Sequence, residues 1–198
     1  MTVRMGTIAV VGTGSTIDED SDEGRRAMQA GRIIAELGCN LLTGGGQGVM
    51  NLSARGFCET PGRIGRSIGV IPGKVEGWTG NKLGTLSKLM LIPKAGYPNP
   101  WVEIPIFTHL PGNDPKGPDS RNVLNVGSAD VIVVLAGGEG SQAEFELAHG
   151  LGKPLIAFLG EGEVVGAYPL AAMADLAMCI QDETALRERL EEHLCRLN

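Results

Sequence analysis

The stretch Val131-Ile-Val-Val-Leu135 places five apolar residues in succession, with no polar residue between them. A strand with one face in water alternates apolar and polar positions, whereas a strand covered on both faces by helices is apolar throughout, the mark of a parallel sheet. Ile8 to Val11, Asn40 to Thr43, Ser67 to Ile71 and Leu155 to Leu159 carry the same signal. Between the first two of these, residues from Asp22 to Leu37 place Ala27, Ala30, Ile34 and Leu37 on one helical face, and Gly38 supplies a stop. That is one βαβ unit. Repeated along 198 residues, the pattern predicts a three-layer α/β fold, a doubly wound, Rossmann-like parallel sheet forming a single domain over residues 1–198. A closing helix from Glu183 to Arg196, with Leu186, Leu190, Leu194 and Leu197 at helical spacing, is read as packing against the core.

Seven of the eleven prolines fall between residues 93 and 118 and interrupt the α/β rhythm. Trp78, Tyr97, Trp101 and Phe107 lie in or near this segment, so a loop excursion with a strand at Ile104 to Thr108 fits better than a separate domain. It lines a pocket, meets a second subunit, or runs as a surface loop. The acidic run from Asp18 to Glu23 precedes the first long helix, where the positive end of the helix dipole favours carboxylates.

A net charge of -6 argues against a duplex nucleic-acid binder, whose affinity rests on a basic surface. No apolar run has the length of a membrane helix, and the N-terminal residues lead into a strand without a signal peptide, so a cytoplasmic protein without a membrane partner is expected. Cys39, Cys58, Cys179 and Cys195 form no C-x-x-C pair and no ligand spacing with the histidines, which predicts reduced thiols and no metal site.

Glycine, at 30 residues, is about twice as frequent as usual and clusters at the ends of the apolar runs. The first turn, Gly12-Thr-Gly-Ser15, carries Ile17 where a dinucleotide fingerprint would need glycine, and no P-loop string occurs in the chain. The second, Thr43-Gly-Gly-Gly-Gln-Gly-Val-Met50, and the third, Ala136-Gly-Gly-Glu-Gly-Ser-Gln-Ala-Glu144, each follow a strand and precede a helix. Free amides at a helix start, with no side chain to hold a ligand away, suit phosphate oxygens. Gly12, Gly14, Ser15, Gly44, Gly45, Gly46, Gly137, Gly138, Gly140 and Ser141 are therefore the candidate phosphate-binding residues. Ser141 and Glu144 also match a capping box, in which the carboxylate would fold back on the Ser141 amide and take the space of a phosphate. Arg121 opens a helix ending near Ser128, a position the helix dipole makes unfavourable for a cation unless an anion answers it; a surface pair with Asp119 is the alternative.

Together these residues resemble the Lonely Guy (LOG) type proteins, formerly mislabelled lysine decarboxylases, and their relatives known as molybdenum cofactor carriers. The glycine-serine turn at Gly12 to Ser15, the shortened glycine motif from Gly44 to Met50, and Ile68-Gly-Val-Ile-Pro72 match family strings. So does the P-G-G-x-G-T-x-x-E signature, present as Ala136 to Glu144 with Arg121 at the family's distance from Asp130. The signature proline is Ala136, its threonine Ser141, its second glutamate Ala143, and the lysine after the arginine Asn122. The Arg121-Asn122 pair and the stretch from Asn99 to Thr108 look more like the carrier branch.

The resemblance implies binding of a phosphorylated, nucleotide-like small molecule. One version is hydrolysis of a nucleoside 5'-monophosphate to base and ribose 5-phosphate, with Glu144 stabilising the oxocarbenium-like transition state and Arg121 assisting the base or holding the ligand. Another is a non-catalytic carrier of the molybdenum (pterin) cofactor, and a third is a nucleotide sensor acting through an interface. No further cofactor is required in any of them; a bound molybdenum cofactor or nucleotide is the guest. The resemblance also implies a homodimer or dimer of dimers, for which Val123, Leu124 and Val126 are candidates, the alternative being ordinary core packing.

Overall fold

The structure is a computed structural model that describes residues 5–76, 90–111, 120–174 and 176–196. Its elements in chain order are β1 (Thr7–Val11), α1 (Asp22–Glu36), β2 (Asn40–Thr43), α2 (Val49–Cys58), β3 (Ser67–Ile71), β4 (Gly73–Glu76), β5 (Met90–Pro93), β6 (Ile104–Phe107), α3 (Arg121–Ser128), β7 (Val131–Val134), α4 (Glu139–Gly150), β8 (Leu155–Phe158), β9 (Val164–Val165), β10 (Tyr168–Pro169), α5 (Leu170–Met173), β11 (Met178–Ile180) and α6 (Glu183–Cys195). Trp78, Asp119 and Leu197 lie outside the described residues, as does the end of the proline-rich segment.

Seven strands form one sheet in the order β11-β8-β7-β1-β2-β3-β6, every neighbouring pair parallel. The apolar runs are continuous because each strand feeds two cores. In β1, Ile8 and Val10 join α1, α2 and α6 on one face, while Ala9 and Val11 join α3 and α4 on the other. In β7 the division is Val131 and Val133 against Ile132 and Val134. Burying each such Val or Ile contributes roughly 1.5–3 kcal/mol, so the sheet is held from both sides. This is the three-layer Rossmann-like architecture expected from the sequence.

Helix α1 starts where the acidic run predicts: Ser21 caps it by accepting from the Gly24 amide at 3.0 Å, and Asp22 and Glu23 occupy its first turn. It ends before Gly38, whose φ of 70° closes the turn in a conformation that glycine adopts without strain. Helices α1 and α2 cross at two glycines. A Cβ on Gly31 would meet the Ser53 carbonyl and lie 2.9 Å from the Phe57 nitrogen, and one on Gly56 would lie 2.9 Å from the Met28 Cα.

The proline-rich excursion contributes more than a loop. Its strand β6 joins the main sheet beside β3, with Ile104 opposite Ile68 and Ile106 opposite Val70. Glu103 fixes that junction, accepting from both Arg63 terminal nitrogens at 2.9 Å and from the Ser67 amide at 2.9 Å. Before it, β4 and β5 form a separate antiparallel ribbon. Of the residues considered for a subunit contact, Val126 is fully buried in the core, Val123 half-buried and Leu124 exposed. All four cysteines are free thiols. Among the described residues, no helix is long and apolar enough to cross a membrane, and no group of three or more His, Cys, Asp or Glu side chains could hold a metal.

Candidate functional site

In sheet order the chain runs outward from β1 through β2, β3 and β6 on one side, and from β7 through β8 to β11 on the other. The order therefore reverses between β1 and β7, and ligands of open α/β sheets bind outside the carboxyl ends of the strands at such a point. The first and third glycine turns leave those two strands there. One residue ties them to the second: the Thr13 amide donates to the Ala136 carbonyl at 2.9 Å, and the Thr13 carbonyl accepts from the Val49 amide at 3.0 Å. Glycine makes the approach feasible. A Cβ on Gly12 would lie 2.7 Å from a Val49 methyl, and one on Gly137 would lie 2.8 Å from the Thr13 nitrogen.

The third turn starts α4 with Gly138 as the residue before the helix and no side-chain cap. Its first-turn amides, which have no carbonyl to bond within the helix, are thus left without an internal side-chain acceptor. The capping box does not form: Glu144 accepts instead from Asn125 Nδ2 at 3.0 Å, and Ser141 lies inside the helix. The Gly137 amide, however, is committed to the Val164 carbonyl at 3.1 Å, and the Gly166 amide returns to the Gly137 carbonyl at 2.7 Å. Residues 164–166 thus hold the back of this turn. The Ser141 hydroxyl side fills the space beside Gly137, whose Cβ would lie 2.7 Å from the Ser141 Cβ.

Arg121 is buried, only 7% exposed, at the start of α3. Ser120 caps that helix through the Asn122 amide at 3.2 Å, so Arg121 takes the first helical position. Its guanidinium lies against Gly44 of the second turn, where a Cβ would stand 2.5 Å from Cζ. Among the described residues neither Nε nor Nη1 has a hydrogen-bond partner. Such unpaired buried donors are uncommon and costly, and a cation more so. Glu144 is close enough to feel the Arg121 charge, yet the two make no ion pair within 4.0 Å. Burial pushes the Glu144 carboxyl above its ordinary value, against the pull of Arg121 and the hydrogen bond from Asn125. Asn122 Oδ1 and Asn125 Oδ1 are also buried without partners among the described residues.

The second turn is packed by the proline-rich segment. The Asn99 amide donates to the Gly45 carbonyl at 2.7 Å, and Asn99 Nδ2 donates to the Gly46 carbonyl at 2.8 Å. Tyr97 Oη stands where a Cβ on Gly46 would come within 2.6 Å. The Gly45 amide takes the Thr43 hydroxyl at 3.1 Å. Gly44 and Gly46 thus admit Arg121 and Tyr97 to the backbone and Gly45, at a φ of 72°, makes room for Ile71, while Gly14 and exposed Ser15 remain at the rim of the first turn. Sequence reasoning missed Asn99 and Tyr97, and named Asn122 only as a departure from a motif. Asn125 had a signal, since it lies four residues after Arg121, on the same helix face.

With these motifs in order along the chain, the model of the SLOG cluster4 family matches residues 5–186. The chain belongs to the SLOG cluster4 family. A curated relative, an uncharacterized protein of Archaeoglobus fulgidus, is 28% identical over 151 residues, covering 76% of this SLOG chain and 78% of its own. Among solved structures, the molybdenum cofactor carrier protein of Chlamydomonas reinhardtii superposes with a TM-score of 0.67 at 26% identity, over 97% of this chain and 99% of that one. The molybdenum cofactor binding protein of the phototrophic bacterium Rippkaea orientalis also gives 0.67, at 24% identity, over 96% and 98% of the two chains. The second likeness speaks for the fold alone.

Proposed function

We propose that this SLOG protein binds a phosphorylated small molecule at the reversal point of its sheet and that the molecule is the molybdenum cofactor, held as cargo. The observation that carries the reading is Arg121: a buried guanidinium with two unpaired nitrogens, seated against Gly44 of the turn after β2, at the same carboxyl end of the sheet as the start of α4, which no side chain caps. Free amides at a helix start suit a phosphate, and a buried cation with open donors suits an acceptor on the rest of the same guest. Gly138, Gly140 and Ser141, with the Gly14 to Ser15 rim, are the residues that would take the phosphate oxygens, and Arg121 would meet an acceptor elsewhere on the molecule. The likeness to the Chlamydomonas reinhardtii carrier, which extends over almost the whole of both chains, supports the choice of cargo.

A second reading, hydrolysis of a nucleoside 5'-monophosphate, draws on Glu144. Its carboxyl is buried, and burial raises it above its ordinary value, the direction that suits an acid working near a departing base. The replaced signature positions, Asn122 and Ala143, favour the carrier. The two readings separate in one pair of assays. Purified protein incubated with molybdenum cofactor released from a molybdoenzyme, then desalted, should retain molybdenum in proportion to chain, whereas incubation with AMP should release no adenine. Release of adenine without retention of molybdenum would replace the first reading with the second.

A further inference from the structure

The polar groups around Arg121 are unequally divided between donors and acceptors. The open donors are Arg121 Nε and Nη1. The open acceptors are Asn122 Oδ1 and Asn125 Oδ1, and the buried Glu144 carboxyl beside them accepts from Asn125 Nδ2 through Oε1. All four residues are at least nine-tenths buried, on two helices that pack together. A phosphate carries only acceptors at neutral pH. It would satisfy Arg121 and leave the two amide oxygens and the carboxyl facing like polarity, which a buried site penalises. A group that meets every open atom must present an acceptor toward Arg121 and adjacent N–H donors toward Glu144 and the asparagines.

We propose that the Arg121, Asn122, Asn125 and Glu144 cluster reads the edge of a 2-amino-oxo heterocycle, a pterin or guanine ring, while the glycine turns take the phosphate. This deepens the binding reading above and rests on it. The ring carbonyl accepts from Arg121, and the neighbouring ring N–H and amino group donate to Glu144 and the amide oxygens. Such an edge occurs in both ring systems, so a guanine nucleotide is a tractable probe for the pterin. Adenine presents the reverse order, an amino group toward the guanidinium and a ring acceptor toward the carboxyl. Hypoxanthine keeps the carbonyl and N–H but lacks the amino group.

The test is equilibrium titration of the full chain with GMP, IMP and AMP, repeated with Glu144→Gln and with Asn122→Ala. The expected order is GMP tighter than IMP and IMP tighter than AMP, with at least ~10-fold between the extremes, because a site built to hydrogen-bond a group discriminates strongly against its absence. Both variants should fold, as shown by unchanged circular dichroism, and should narrow the gap between GMP and AMP. Equal affinity for all three nucleotides overturns the ring-edge assignment and leaves phosphate binding standing. Failure of all three to bind overturns the ring-edge assignment, and overturns the binding reading as well only where the chain also fails to retain molybdenum.

Discussion

Arg121 occupies the side-chain space of residue 44: a Cβ on Gly44 would stand 2.5 Å from Cζ of the guanidinium. The two residues lie 77 positions apart, on the second glycine turn and the first turn of α3. The cation therefore depends on a glycine that sequence reading assigns to phosphate. Gly44→Ala should displace the guanidinium, which is the flexible end of its side chain, at a stability cost within about 1–3 kcal/mol, while ligand affinity falls by ~10-fold or more. Thermal unfolding and GMP titration of the variant check the two effects separately; unchanged affinity would mean that Arg121 does not touch the guest.

The α1–α2 crossing gives a purely structural comparison. Gly31→Ala drives a methyl into backbone of α2, at the Ser53 carbonyl and the Phe57 nitrogen, and backbone cannot step aside as a side-chain tip can. It should cost about 1–3 kcal/mol or more in urea unfolding. Gly150→Ala, at the end of α4 with nothing within 4 Å of the new methyl, should instead gain up to about 1 kcal/mol.

Glu144 and Glu103 should act in opposite directions with pH. Burial raises the Glu144 carboxyl above its ordinary 4.5, so its contribution is fully present below that value and is lost as pH rises through the native value. Glu144→Gln cannot titrate. The stability of the wild type minus that of the variant should thus be larger near about pH 4.5 than near about pH 8. A difference independent of pH, measured by denaturant unfolding, would contradict the assigned burial.

For Glu103, burial works against ionisation, but hydrogen bonds from Arg63 and the Ser67 amide, with the Arg63 charge, outweigh it and hold the carboxyl below 4.5. This stability is present above the ordinary value and disappears as pH falls through the native one. Glu103→Gln should cost about 1–2 kcal/mol at neutral pH, allowing for partial exposure, and should flatten the acid limb of the unfolding profile. It should also loosen β6, visible as faster amide exchange at Ile104, Ile106 and Phe107.

The fold was legible because covering both faces of a strand removes polar residues from it. β2 and β3 have the bounds the sequence suggests, while β1, β7 and β8 differ by a residue at one end. Strand β11 escaped notice because Met178-Cys-Ile180 is three residues long at the sheet edge. Of the candidate site, the glycine turns and the side chains of Arg121 and Glu144 were named from the sequence, whereas the partners these groups find across the fold were not. Glycine turns after strands announce themselves locally, whereas Asn99 reaches Gly46 across 53 positions, and the use of the Gly137 amide by Val164 depends on a short ribbon with no periodic signal. The Ser141–Glu144 spacing matched a cap, but the carboxyl found a buried partner on the neighbouring helix.

The buried Arg121 guanidinium is the proposed anchor of the guest. Molybdenum retained per chain after loading with released molybdenum cofactor and desalting, compared between the wild type and Arg121→Ala, tests it most directly. The wild type should retain the metal in a fixed ratio and a folded Arg121→Ala should lose most of it, a drop of ~10-fold or more for one buried charge-assisted contact. Equal retention by both proteins, or none by the wild type, would contradict it.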